Sequence, residues 1–341
     1  MKQKTRLRPL LRTLRTKTHD GTLLIYVAVL VIALVAVFYF GRTVIRKPWI
    51  ARDDFGVAAF GERAYVIGGT SRVPDEGTLD EILELDMTRQ TVRLVGRLPR
   101  PALFPPSGAL DGNVYVVGGA GGGAYRDEIV RIDPETGDVT VAGRLPGPRG
   151  LCGVIALDGR LYCGGGWDGT MCLDEVVVFD PGTGESMIIG RLPSPRYNLA
   201  FVAAEGRLYA MGGEDKDGTT LDEIVELDPA TGAVLRIGYL PSPRSRLVAC
   251  AADGVVFAFG GKGDETLDEI VRVKVGQDPM EIETIGRLPE ASLLNAAVAI
   301  EDRIFLFGGT WLRRERDRQF MVRAFHPDTL GLRSMEFRGD R

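Results

Sequence analysis

The chain has 341 residues, 45% of them hydrophobic and 26% charged, with a formal net charge of −4. That composition supports a large buried core and excludes a disordered chain. The charge is uneven: residues 1–47 hold ten Lys/Arg and one acidic residue, +9 in sum, which leaves −13 on the remainder. An acidic globular part lacks the clustered basic face that nucleic-acid binding requires.

The first element is a basic tail, residues 1–21. In it Leu7, Leu10, Leu11 and Leu14 recur at helical spacing among arginines, a pattern suited to lying on anionic lipid. Leu23 to Phe40 follows without a single charge. As a helix it would be roughly 27 Å long, enough to span a thin hydrocarbon core. It ends in the bulky Val37-Phe38-Tyr39-Phe40, not in the small residues of a cleavage site, which predicts an uncleaved transmembrane signal anchor over 22–41. Seven Lys/Arg precede the span and four closely follow it (Arg42, Arg46, Lys47, Arg52). The heavier side stays in the cytoplasm, so everything after the linker 42–51 is expected outside it, in the periplasm or at the cell surface.

From Arg52 to the end the chain repeats itself. Paired glycines stand at Gly68-Gly69, Gly118-Gly119, Gly164-Gly165, Gly212-Gly213, Gly260-Gly261 and Gly308-Gly309, spaced 50, 46, 48, 48 and 48 residues. One repeat, Leu199 to Arg244, shows the plan. An apolar run, Leu199 to Ala204, turns at Glu205-Gly206 into Leu208 to Met211, which stops at Gly212-Gly213. A polar loop leads to Leu221–Asp228, a turn at Pro229–Gly232, and a last run, Ala233 to Ile237. Four short runs between Gly, Pro and Asp turns predict a four-stranded antiparallel sheet, and six such units in series predict a six-bladed all-β propeller over 52–341. Alternating strand direction puts the Gly-Gly loops and the Gly-Arg-Leu-Pro linkers (from Gly96, Gly143, Gly190 and Gly286) on one face, expected to look toward the membrane. Because each unit completes its own four strands, no strand exchange is expected to close the ring.

Val114-Tyr-Val-Val-Gly-Gly119 and Leu208-Tyr-Ala-Met-Gly-Gly213 resemble the kelch-repeat family over about residues 52 to 337. The tryptophan usual in that family's fourth strand is missing, with Val139, Ser186 and Val234 in its place, which marks an atypical branch. The resemblance implies the fold, and a role in either protein interaction or sugar chemistry. A kelch-type copper oxidase would need a histidine-rich centre, yet His326 is the only histidine of the repeats. A mutarotase or lectin-like binder of acidic sugars would need only carboxylates and arginines, so it stands as the alternative. No pattern calls for a cofactor or a metal; Glu214-Asp-Lys-Asp-Gly218 reads as a solvated loop.

Charged residues recur with the repeat. Asp80-Glu81, Asp127-Glu128, Asp174-Glu175, Asp222-Glu223 and Asp268-Glu269 open the third strand in five of the six units, and Arg100, Arg149, Arg196 and Arg244 lie in the linkers. Residues present in nearly every unit are expected to stitch blade to blade. Of four cysteines, Cys152, Cys163 and Cys172 share one repeat, where a local bridge involving Cys172 is plausible, while Cys250 falls at a core position.

Departures from the repeat are where a specific function is expected. The sixth Gly-Gly loop carries Trp311, Leu312, Arg313, Arg314, Arg316 and Arg318, a basic aromatic stretch in an acidic domain. Phe104 sits in the linker into the second unit, and Leu293 and Leu294 replace Pro-Arg in the linker into the sixth. Units six, one and two adjoin in a closed ring, so these residues form one expected partner-binding patch. The resulting expectation is an interaction or scaffold propeller within an envelope assembly, without catalysis.

Overall fold

A computed structural model of the chain describes residues 52–71, 76–277, 279–308 and 322–339. The tail, the segment 23–40, and the Trp311–Arg318 stretch lie outside the described residues. Among the described residues no helix is long and apolar enough to cross a membrane.

Six four-stranded antiparallel blades form, with innermost strands at 56–60, 107–110, 153–157, 200–204, 248–252 and 294–300. Each innermost strand turns tightly into the next, and Asp111-Gly112 shows why that sequence recurs. Both residues have positive φ (49° and 74°), the geometry of the two-residue turn whose twist matches a hairpin. The third and fourth strands of blades one to five slip register at the same point, where Gly96, Gly143, Gly190, Gly238 and Gly286 oppose Ile82, Ile129, Val176, Ile224 and Ile270. The glycine of the Gly-Arg-Leu-Pro motif is thus a bulge residue, and the leucine two positions on is buried in every linker (Leu98, Leu145, Leu192, Leu240, Leu288).

The buried side chains fall into six clusters, each shared by two neighbouring blades. Tyr162 and Val176 of blade three, for instance, pack with Phe201, Leu208 and Val225 of blade four. The sixth cluster joins Phe55, Val66 and Leu83 of blade one to Phe305, Phe307 and Val322 of blade six, so apolar burial closes the ring.

Two features differ from the sequence expectation. A C-terminal strand, Arg338–Gly339, pairs in parallel with Thr91 and Val92 on the outer edge of blade one, so the last residues do cross to the first blade. Met335 and Phe337 pack into the same closing cluster. In blade three the loop glycines are Gly165-Gly166, not Gly164-Gly165. Gly165 and Gly166 have φ of 62° and 114° and donate to Glu175 O and Arg196 O. The equivalent bonds in blade four run from Gly212 and Gly213 to Glu223 O and Arg244 O. Gly164 is the last residue of its strand and pairs with Gly153. A Cβ on either would meet Phe201 of blade four, within 2.1 Å at Gly153 and 2.8 Å at Gly164. These two glycines make room for a ring.

Candidate functional site: the mouth of the central channel

The repeating charges build the frame. Arg244 donates its backbone N–H to Leu221 O and accepts from Gly213 N, both in blade four. Its fully buried guanidinium reaches blade five, donating to Glu269 Oε2 at 2.5 Å and Gly260 O at 3.3 Å. Arg196 does the same between blades three and four, with Glu223 and Gly212 O. Arg149 is anchored on blade two and donates to Glu175 of blade three at 2.7 Å. Into blade one the matching residue is Arg52, whose side chain is fully buried against Glu81 (2.9 Å) and Gly68 O (3.1 Å). Arg100 is out of register: Ala102 takes the stapling position, and Arg100 reaches Glu128 of blade two from an exposed site.

The aspartates of the Asp-Glu pairs do not reach a neighbouring blade. Asp80, Asp127, Asp174 and Asp268 bind Arg97, Arg144, Arg191 and Arg287 on the fourth strand of their own blade, and their carbonyls accept the linker-leucine N–H. In blade four Tyr239 replaces that arginine, and Asp222 contributes only its carbonyl. Among the described residues no charged ring lines the channel.

The channel itself encloses about 510 Å³. Its wall is the innermost strands, made of Gly, Ala, Val, Ile and Phe with Ser107, Cys152, Cys250 and Asn295 as polar exceptions. The charged residues lining it, Asp53, Asp54 and Arg246, all sit at the end where linkers enter.

At that mouth the blades stop being alike. In five of the six blades the chain adopts positive φ two residues after the stapling position, at Asp54 (56°), Phe104 (44°), Leu151 (55°), Asn198 (54°) and Arg246 (51°). Bulky residues avoid this region, and Leu, Phe and Arg there carry strain that the surrounding hydrogen bonds must hold. Those bonds run from mouth residue to mouth residue: Phe104 N to Asp54 O at 2.7 Å, Asn198 N to Leu151 O at 2.9 Å, Arg246 N to Asn198 O at 2.8 Å. At these five positions the backbone conformation is shared while the side chains run Asp, Phe, Leu, Asn, Arg; Leu294 holds the matching place in blade six.

Phe104, Leu293 and Leu294 line this mouth. A second arc, over blades three to five, was not evident from sequence. Trp167 and Tyr197 pack with ring centroids 5.6 Å apart. Beside them Glu214 accepts from Asn198 Nδ2 at 2.6 Å and Ser245 Oγ at 3.3 Å. Burial, reinforced by the Glu214 carboxylate, pushes the Tyr197 phenol above its ordinary value, so it stays a neutral donor at any working pH. The loop after Glu214 is closed on itself, with Asp215 Oδ1 accepting from Asp217 N and Thr219 N at 2.9 Å each. Among the described residues no group of three or more His, Cys, Asp or Glu is placed to hold a metal.

No curated protein matches the chain by sequence. The solved structure of YjhT superposes with a TM-score of 0.69 at 14% identity, covering 84% of this chain and 98% of that one, a likeness of fold. The Kelch motif matches residues 148–193, which are the staple, strands and outgoing linker of blade three. The chain is a six-bladed β-propeller whose third blade carries a Kelch motif.

Proposed function

We propose that the chain is a membrane-tethered binding propeller, held by an anchor at 22–41 and displayed outside the cytoplasm. It presents its linker face, around the channel mouth, to a protein of the envelope. The observation that supports this reading is the mouth itself, where five strained backbone positions, linked at three places by hydrogen bonds from one to the next, carry five chemically different side chains. Selection that held only the ring together would need no such diversity. Among the described residues the only carboxylates lining the channel, Asp53 and Asp54, stand at its mouth, and no histidine lines it for acid–base chemistry. In this reading the Trp311–Arg318 stretch, which follows the sixth Gly-Gly pair in sequence, supplies cationic and aromatic anchors.

A second reading is supported by the arc over blades three to five. The tilted aromatic rings of Trp167 and Tyr197, a Glu214–Asn198 pair and the exposed Arg246 are groups that could grip an acidic sugar. One experiment separates the two. Charge reversal of Arg314 and Arg316 is expected to abolish co-purification of an envelope protein from native membranes. If every association survives that change, and an acidic sugar raises the unfolding temperature of the wild type but not of Arg246→Glu, the sugar reading replaces the first.

A further inference from the structure

Blade three differs from the others at two positions at once. Where Cys163 stands, the equivalent residues are Val66, Val116, Ala210, Ala258 and Leu306; where Cys152 stands, four of the five are Phe55, Pro105, Leu199 and Leu247. The two sulfurs lie 3.2 Å apart, with the Cys163 thiol donating to Cys152. Cys152 lines the channel and is partly exposed, whereas Cys163 is 3% exposed. Cys172, the expected partner in a local bridge, faces Glu214 O instead, at 3.9 Å.

The cation beside the pair is also altered. In blades four and five the stapling arginine satisfies Nε with Ser194 O or Ser242 O and Nη1 with the loop carbonyl. In blade three the serine is Gly147, and Arg149 leaves both Nε and Nη1 without a partner while being 1% exposed. A buried guanidinium with unused donors next to two thiols stabilises a thiolate between them. The Cys152 hydrogen bond and Arg149 hold the Cys163 thiol below its ordinary value, while that shared bond and burial push Cys152 up.

We propose that Cys152 and Cys163 are a redox-active dithiol that reacts with small aliphatic disulfides entering the channel. Cys152, which lines the channel, passes its proton across the 3.2 Å contact to the Cys163 thiolate and attacks the external disulfide; the expelled thiolate takes that proton from Cys163 and leaves as a thiol, and a mixed disulfide remains on Cys152. The Cys163 thiolate then attacks the Cys152 sulfur and expels the second thiol. Two electrons pass to the reagent, which departs as two thiols, and the protein keeps an internal disulfide between its first and second strands. Closure needs the sulfurs to approach by about 1.2 Å, since a disulfide is roughly 2.0 Å long. Cys152 lies just before the innermost strand, next to the strained Leu151, where the ladder does not yet fix the chain.

The test is to incubate the folded full-length chain with excess hydroxyethyl disulfide, quench with N-ethylmaleimide and map the peptides by mass spectrometry. The expected product has lost two hydrogens and links Cys152 to Cys163, in the wild type and in the Cys172→Ser/Cys250→Ser variant alike, and dithiothreitol reverses it. Cys163→Ser is expected to trap the hydroxyethyl adduct on Cys152, while Cys152→Ser leaves Cys163 unmodified. Two thiols still fully alkylated in the wild type, a link to Cys172 or Cys250, or Cys163→Ser without an adduct would each overturn the proposal.

Discussion

Arg244→Met tests whether the buried staples carry the ring. The guanidinium is fully buried and holds Glu269, Gly260 O, Ser242 O and Ser242 Oγ. Methionine keeps most of the volume but leaves a carboxylate, itself 21% exposed, without its counter-ion. Breaking one side of a buried pair costs about 3–5 kcal/mol, whereas replacing both sides with apolar groups is often near neutral. Equilibrium unfolding in urea should therefore show Arg244→Met losing about 3 kcal/mol or more, with much of it regained in Arg244→Met/Glu269→Met. The control is Arg100→Met. Arg100 reaches Glu128 with 56% of its side chain exposed, and a pair of that kind is worth about 0–1 kcal/mol. Equal losses in the two single variants, or a double variant as unstable as the sum, would refute the reasoning.

Three further outcomes follow from the same geometry. Gly118→Ala places a Cβ 2.2 Å from Arg149 O, whereas Gly218→Ala, also at positive φ (79°), meets nothing within 4 Å; urea midpoints should fall far more for the first, the second losing only about 1 kcal/mol. Leu151→Asn puts a residue tolerant of φ 55° where Asn198 stands in the next blade, and calorimetry should show stability retained or raised by about 0.5–1 kcal/mol. Removal of residues 338–341 uncovers the outer edge of blade one, and hydrogen exchange at Thr91 and Val92 should accelerate while the inner strands stay protected.

Blade count, strand order and turn type were legible because glycine and Asp-Gly positions recur, and positive φ leaves few other residue choices. Blade three misled the reading by one residue, since Gly164-Gly165-Gly166 does not say which glycine is small for the sake of Phe201 and which two must turn. Arg52 was legible in principle. It precedes Gly68 by 16 residues, as Arg196 precedes Gly212 and Arg244 precedes Gly260, but its position after a greasy segment suggested a charge-flanked membrane span. The same offset shows Ala102, not Arg100, before Gly118. The ring at the channel mouth could not be read at all, because Leu151, Phe104 and Arg246 are residue types that do not advertise a left-handed backbone. The C-terminal strand was equally hidden, two residues being too few to show a period.

The most direct test of the proposed face is photo-crosslinking in native membranes from single positions at opposite ends of the blades. A photoreactive residue at Arg246, on the exposed rim of the mouth, should give a discrete crosslinked protein, and one at Asp158, in the tight turn at the other end, should give none. Crosslinks from Asp158 with none from Arg246 would place the partner on the wrong face and contradict the account.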